Sequence, residues 1–309
     1  MKVAAVVVTY KRYELLKKNI EACLEQTFIV DKLIIVDNCS MDGTIEKIKM
    51  DFAGCGLLDI VELKENTGGA GGFSSGIQYA YNKNYDCLIL MDDDGRPHRK
   101  DTFETLLDNY NKQYKEGIPV MLNSLVVCDD ENLSFGFGNI SKVKEAISCS
   151  NNHYIDGYCN PFNGTLINRE LIETIGFPRK EFFIRFDEKD YFERSLRVNN
   201  RVVGTVVDSI YYHPSTGTNE VKKIFGICFV NAYEAGWKEY YKVRNSFYLY
   251  KESGKNTVYI YLKYIQYVSG LYVFRIKNKK ELLPFLKKGY ADAKCGNLGK
   301  LVEPGCKKL

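Results

Sequence analysis

Residues 87–94 read Cys87-Leu88-Ile89-Leu90-Met91-Asp92-Asp93-Asp94, an apolar run with the composition of a buried strand that ends abruptly in three carboxylates. Successive side chains on a strand point to opposite faces, so if extended geometry persists to the tip, Asp92 and Asp94 project together and Asp93 the other way. Adjacent carboxylates repel one another and resist desolvation unless a cation or strong donors compensate them. The pattern points to a divalent cation, Mn²⁺ or Mg²⁺, held by one or two carboxylates and completed by the phosphate oxygens of a nucleotide. A solvated acidic turn is the competing reading of the three aspartates taken alone.

Outward from that run the chain alternates strand and helix. Strands are expected at Val3 to Thr9, Leu33 to Asp37, Leu58 to Leu63 and Cys87 to Met91. Helices are expected at Glu14 to Gln26, with Leu15, Leu16, Ile20 and Leu24 inward, at Ile45 to Phe52 and at Phe73 to Asn82. This βαβαβαβ rhythm implies a mostly parallel twisted sheet flanked by helices, in which ligands bind beyond the carboxyl ends of the strands. Thr9 to Arg12, Asp37, the loop Asn66 to Gly72 and Asp92 to Asp94 all fall at those ends. After a helix to about Lys115, a strand at Val120 to Val127 and a less regular stretch to about Asn163, the pattern gives helices at Asn168 to Ile175 and Glu188 to Val198 and a strand at Arg201 to Asp208. From about Asn231 the pattern is helical, with helices at Asn231 to Lys251, Thr257 to Ile276 and Lys279 to Cys295. The expected domains are therefore 1–216, whose halves are 1–100 and 101–216, and a helical appendage over 217–309.

A chain of 309 residues that is 45% hydrophobic and 27% charged has ample material for a globular core. The six-residue apolar run Val3 to Val8 is too short for a signal-peptide core or a membrane span, and on that reading the protein is expected in the cytosol. Ten cysteines without a Cys-x-x-Cys pair fit reduced thiols better than a disulfide framework or a zinc site. From Lys251 to Leu309 there are 13 Lys and Arg against 4 Asp and Glu, so the tail is basic and the rest mildly acidic. A basic, Tyr-rich tail suits nucleic acid, the anionic face of a membrane, or simply solvent. The segment Thr257 to Ile276 is apolar and aromatic but interrupted by Lys263 and Gln266, which makes it a fair interfacial helix and equally a packing or dimerisation helix.

Asn66-Thr67-Gly68-Gly69-Ala70-Gly71-Gly72-Phe73 opens a helix, where free amides favour anions and glycines let backbone approach a phosphate or sugar. Neither the dinucleotide fingerprint nor the P-loop fits: Ser74 stands at the third glycine position, and no Gly-Lys-Ser/Thr follows. Asp187-Glu188 enters a helix, where one carboxylate can act as a general base or both can merely offset the helix dipole. His213, beside Pro214 after a strand, suits a third metal ligand, whereas His98 and His153 have no comparable setting.

Four blocks in this order resemble the inverting family 2 glycosyltransferases of GT-A fold: Val6-Val7-Val8-Thr9-Tyr10-Lys11-Arg12, Ile34 to Thr44, Asn66 to Phe73 and Met91-Asp92-Asp93-Asp94. The glycine-rich block is most similar to bacterial galactofuranosyltransferases, with rhamnosyltransferases next. Phe162-Asn163-Gly164, Phe186 to Asp190, His213-Pro214 and Tyr240-Tyr241-Lys242-Val243-Arg244-Asn245 extend the resemblance to about residue 250. It implies that Thr9, Arg12 and Asp37 hold the nucleotide, that Asn66, Gly71, Gly72 and Asp93 lie along the donor, and that Asp92, Asp94 and His213 hold the metal. Glu188 is then the base, with Asp187 in reserve; many relatives carry Glu-Asp or Asp-Asp there. The implied donor is UDP-galactofuranose, the acceptor a glycan or lipid-linked glycan, and no nucleic acid takes part. The protein would be cytoplasmic or peripheral at the inner membrane face, with its oligomeric state open. Trp237 is the only Trp, so the tandem Trp of the galactofuranose polymerases is missing, which argues against processive polymerisation. A nucleotidyltransferase would carry a basic Gly-rich loop where Thr9 to Tyr13 stand, and a non-catalytic sugar-nucleotide binder would have lost its carboxylates.

Overall fold

The computed structural model describes residues 1–215 and 220–309; the expected boundary at 216/217 lies outside them. The chain divides into two compact units, Met1–Arg179 with Glu188–Thr216, and Lys180–Asp187 with Gly217–Leu309. The short segment Lys180–Asp187, inside the expected first domain by sequence, groups with the second unit.

The first unit opens β1 Val3–Thr9, α1 Tyr13–Leu24, β2 Lys32–Asp37, α2 Thr44–Asp51, β3 Leu58–Glu62, α3 Gly68–Asn82 and β4 Cys87–Asp92. It continues β5 Arg96–Pro97, α4 Thr102–Gln113, β6 Val120–Val127, β7 Asn132–Phe137, β8 Ile140–Lys142, α5 Val143–Cys149, β9 Tyr154–Asp156, β10 Asn163–Asn168, α6 Arg169–Ile175, α7 Asp187–Leu196 and β11 Val202–Tyr212. The main sheet runs β3-β2-β1-β4-β10-β6-β11-β5. The first four of these strands are parallel, β10 is antiparallel to both its neighbours, and β11 lies parallel to β6.

β1 is buried on both faces, as a central parallel strand that is apolar from Val3 to Val8 must be. Val3, Ala5 and Val7 join Leu16, Ile20 and Phe103 on one side, and Ala4, Val6 and Val8 join Phe73 and Ile77 on the other. The inward face of α1 is Leu16, Asn19, Ile20 and Cys23. Leu15, expected inside, is exposed, and Leu24 packs only at the core's edge.

The expected glycine loop is a correction. α3 begins at Gly68, so most of the run is helix. Glycine is a poor helix former, but close packing on β1 overrides propensity: a Cβ on Gly72 would stand 2.4 Å from Val8 Cγ1, and one on Gly76 2.6 Å from Val6 Cγ1. Gly72→Ala is therefore expected to cost about 1–3 kcal/mol of stability through overpacking. Chemical denaturation of the variant and of the wild type checks it.

In the second unit β12 Glu220–Ile224 and β13 Ile227–Asn231 precede α8 Gly236–Glu252, α9 Thr257–Val273 and α10 Lys279–Cys295. The C-terminal region is helical, as expected, but opens with a hairpin that the sequence pattern does not announce, and α8 starts five residues later than the sequence suggests. Phe225 and Gly226, at φ 47° and 76°, make the hairpin's two-residue turn. α8 and α10 pack around Val243, Phe247, Leu282 and Leu286. They approach so closely that a Cβ on Gly289 would meet the Tyr240 carbonyl at 2.6 Å.

Candidate active site

β1 and β4 are parallel neighbours, yet the chain leaves β1 for β2 on the opposite side. Strand order reverses between them, and in open α/β sheets ligands bind beyond the carboxyl ends of the strands at such a point. Val8 pairs with Asp92 across that point, which brings Thr9 beside the three aspartates. The extended clamp expected at the tip is corrected: β4 ends at Asp92, and Gly95 N–H donates to the Asp92 carbonyl at 3.3 Å, closing a turn through Asp93 and Asp94. Buried Asn19 holds that turn from α1, its Nδ2 donating to the Gly95 carbonyl at 2.6 Å.

The turn is compensated by protein donors. Thr9 Oγ1 donates to Asp93 Oδ2 at 2.8 Å, and Arg12 Nη1 reaches Asp93 Oδ1 at 3.0 Å and Asp94 Oδ2 at 2.9 Å. Half of the Arg12 side chain remains exposed. Burial pushes the Asp92 carboxyl well above the ordinary range, repulsion from Asp94 and Asp93 adds to it, Arg12 opposes, and the charge of Glu188 raises it further. Burial also raises Asp93 against the opposing pull of Arg12 and Thr9. Asp94 goes the other way: burial raises it, but His213 and Arg12 outweigh that and hold it below the usual carboxylate range.

His213 supplies the most specific geometry. Ser134 Oγ donates its proton to the Pro214 carbonyl at 2.9 Å, so the ring nitrogen Nδ1, 2.7 Å from the same carbonyl and 3.1 Å from Ser134 Oγ, carries the hydrogen. That tautomer, assigned from the hydrogen bonds, turns Nε2 toward Asp94. Nε2 lies 3.4 Å from Asp94 Oδ1, an atom shut off from solvent that accepts no aligned hydrogen bond. A proton on Nε2 or a cation in its place can fill the gap. The orphaned carboxylate oxygen and the fixed imidazole lone pair make a two-donor set that fits a hard divalent cation. Among the described residues no three His, Cys, Asp or Glu side chains come together as a metal-holding group, so Asp92, expected as the third ligand, does not join Asp94 and His213, and phosphate oxygens would have to finish the shell.

The other expected residues line the neighbouring loops. Asp37 is buried and accepts from the amide and hydroxyl of Ser40, whose Oγ in turn accepts from Lys11 N–H at 2.9 Å. Asn38 clasps the start of α3, accepting from Thr67 N–H at 2.8 Å and donating to the Gly68 carbonyl at 2.8 Å. Asn66 Oδ1 accepts from Gly68 N–H at 2.9 Å. A Cβ on Gly71 would collide with Thr67 at 2.4 Å, so Gly71 and Gly72 serve first to seat the helix. Glu188 is exposed at the start of α7, while Asp187 is buried. Asp190, further along that helix, is taken up by Arg194 at 3.0 Å and Arg179 at 3.5 Å. His98 and His153 pair with Asp130 and Asp208 rather than with the aspartate turn.

Asn19, Asn38 and Ser134 were missed as supporting residues. Asn19 left a signal, a polar side chain one position from Ile20 on the apolar face of a helix, whereas Ser134 left none because its partner lies 79 residues away.

The model of the family "Glycosyl transferase family 2" matches residues 4–121. The galactofuranosyltransferase GlfT1 of Mycolicibacterium smegmatis is 31% identical over 261 residues, 82% of this chain and 84% of that protein. The dTDP-rhamnosyl transferase RfbF of Shigella flexneri is 28% identical over 302 residues, 92% of this chain and 91% of that one. Among solved structures, the mannosyltransferase PcManGT of Pyrobaculum calidifontis, in complex with GDP-Man and Mn²⁺, superposes with a TM-score of 0.54 at 13% identity, covering 95% of this chain and 75% of that one. By its sequence and by its GT-A fold, the chain belongs to glycosyltransferase family 2 and is a glycosyltransferase.

Proposed function

We propose that this enzyme transfers galactofuranose from UDP-galactofuranose, with inversion, to a hydroxyl of a cell-surface polysaccharide or lipid-linked glycan precursor. The observation that carries the mechanism is the facing pair of Asp94 Oδ1 and His213 Nε2 at the point where strand order reverses. The likeness to galactofuranosyltransferases over most of the chain supports the choice of sugar.

Asp94 and His213 hold the divalent cation, Mn²⁺ or Mg²⁺. When bound, it supplies neutralisation of the charge that develops on the departing diphosphate. Arg12 keeps the turn compensated and offers its exposed half to the donor phosphates, Thr9 fixes Asp93 toward the donor, and Asp37 meets the nucleoside. Asn66, Gly71 and Gly72 set the amino end of α3 along the donor. Glu188 accepts the proton of the acceptor hydroxyl as that oxygen forms its bond to C1 from the face opposite the leaving group; a single displacement inverts the anomeric centre. Asp187 is the reserve for that role.

A rhamnosyl donor is the second reading, favoured by the likeness to the dTDP-rhamnosyl transferase over nearly the whole chain. Incubating the enzyme with Mn²⁺ and a panel of nucleotide sugars, and measuring release of the nucleoside diphosphate, separates the two. UDP-galactofuranose should turn over fastest; preference for dTDP-rhamnose would overturn the donor assignment, and no turnover of any donor the catalytic one.

A lipid-linked acceptor calls for contact with a membrane surface, and the second unit offers one. Phe225 at the hairpin tip is 100% exposed, Val221, Ile224, Ile227 and Val230 are exposed beside it, and Lys222 and Lys223 flank them. α9 adds exposed Val258, Tyr261, Leu262 and Ile265, and its Gln266 is bonded to the Cys228 carbonyl of the hairpin at 2.7 Å. Among the described residues no helix is long and apolar enough to cross a membrane, so the contact would be interfacial. The enzyme should float with anionic vesicles and much less with neutral ones, and Phe225→Asp should weaken flotation several-fold. No flotation with either vesicle type, or undiminished flotation of Phe225→Asp, would overturn the membrane contact.

A further inference from the structure

Lys180–Asp187 runs straight into Glu188, and its backbone is unusual. After the short 3₁₀ turn Lys180–Phe182, Phe183, Arg185 and Phe186 adopt φ of 64°, 67° and 66°. Three left-handed residues within four positions, none of them glycine, are disfavoured for L side chains. Such a segment persists only where its surroundings over-determine it.

Two side chains of α8 do so. Asn245 is fully buried, and its Nδ2 donates to the carbonyls of Phe182 at 3.0 Å, Ile184 at 3.0 Å and Arg185 at 2.8 Å. Arg244, also fully buried, donates through Nη2 to the carbonyls of Glu181 and Phe182, each at 3.0 Å, and through Nη1 to that of Gly299. Its Nε donates to Asn245 Oδ1 at 2.8 Å, which fixes the amide with nitrogen toward the loop. The guanidinium lies 4.8 Å from the Tyr241 ring centroid and 5.5 Å from that of Tyr240. A buried arginine is costly to desolvate. Here it is directed at main-chain carbonyls that a simple helix packing would leave to water or to amides.

We propose that Arg244 and Asn245 are positioning residues for sugar transfer: they hold Phe182–Arg185 in its left-handed path, and that path sets where α7 starts and hence where the Glu188 carboxylate points. The inference rests on Glu188 being the base. Neither side chain touches substrate in this role; the link to Glu188 is the peptide bond that joins it to Asp187.

A double-mutant cycle with Glu188→Gln tests it on the full chain. Asn245→Ala should lower kcat about 100-fold, the scale of a small misplacement of a reacting group, while the KM for donor and the affinity for UDP with Mn²⁺ stay within about twofold. In the Glu188→Gln background the same substitution should cost less than about threefold, because the group it orients is already disabled. Arg244→Lys should show the same pattern more weakly, since one ammonium cannot span the carbonyls of 181, 182 and 299. Unchanged kcat in Asn245→Ala, or an equal loss in both backgrounds, overturns the positioning role and leaves the base standing. Full turnover in Glu188→Gln overturns the base itself, and with it this inference. If the alanine variant does not fold, Asn245→Ser, which keeps one donor, enters the same cycle under the same criteria.

Discussion

Glu188→Gln is expected to lower kcat for transfer by about 10²- to 10⁴-fold, the usual contribution of general-base catalysis, and to leave donor affinity unchanged. Gln keeps the length and shape of Glu and removes only its ability to take a proton. Glu188 is exposed at the amino end of α7, open to an incoming hydroxyl, and close enough to the aspartate turn for its charge to act on Asp92. Asp190 on the same helix is paired with Arg194 and Arg179. Steady-state kinetics with saturating acceptor, alongside calorimetric titration of UDP, checks both halves of the expectation. If Glu188→Gln transferred at the wild-type rate while Asp187→Asn did not, the base would be Asp187.

Asp94→Ala is expected to cost at least about 100-fold in the affinity for UDP measured with Mn²⁺, more than the loss from disturbing a supporting partner of a ligand. The carboxylate does three things at once: its Oδ1 faces His213 Nε2, its Oδ2 takes Arg12, and its charge is stabilised in a site where Asp92 resists ionisation. Removing it also frees Arg12 from one of its two carboxylate partners, so UDP affinity without metal should fall little or even rise. That contrast separates a ligand from a general scaffold residue. His213→Ala should repeat the metal-dependent loss without disturbing Arg12.

Much of the fold was legible because buried parallel strands and amphipathic helices write their periods into sequence. β1 and β6 fall where their apolar runs end, and Cys87 to Met91 gave β4 to within one residue. What stayed hidden was set by tertiary packing. The glycines at the start of α3 read as loop because propensity argues for loop, and only the proximity of Val6 and Val8 explains the helix. The hairpin at Glu220–Asn231 turns on Phe225-Gly226, a weaker turn signal than Asn-Gly or Asp-Gly. In the site, residue types were legible and their partners were not. Three aspartates and a distant histidine can be picked out, but neither the turn that re-aims Asp93 toward Thr9 and Arg12 nor the Pro214 carbonyl that fixes the imidazole follows from spacing. The left-handed residues at Phe183, Arg185 and Phe186 carried no glycine or asparagine to announce them.

The central claim is that a divalent cation between Asp94 and His213 binds the diphosphate of the donor. Calorimetric titration of UDP into the protein, with Mn²⁺ and then with excess chelator, tests it most directly. Binding should be tight with Mn²⁺, at least tenfold weaker with chelator, and insensitive to Mn²⁺ in His213→Ala. Equal affinity with and without the metal in the wild-type protein, or an undiminished Mn²⁺ effect in His213→Ala, would contradict it.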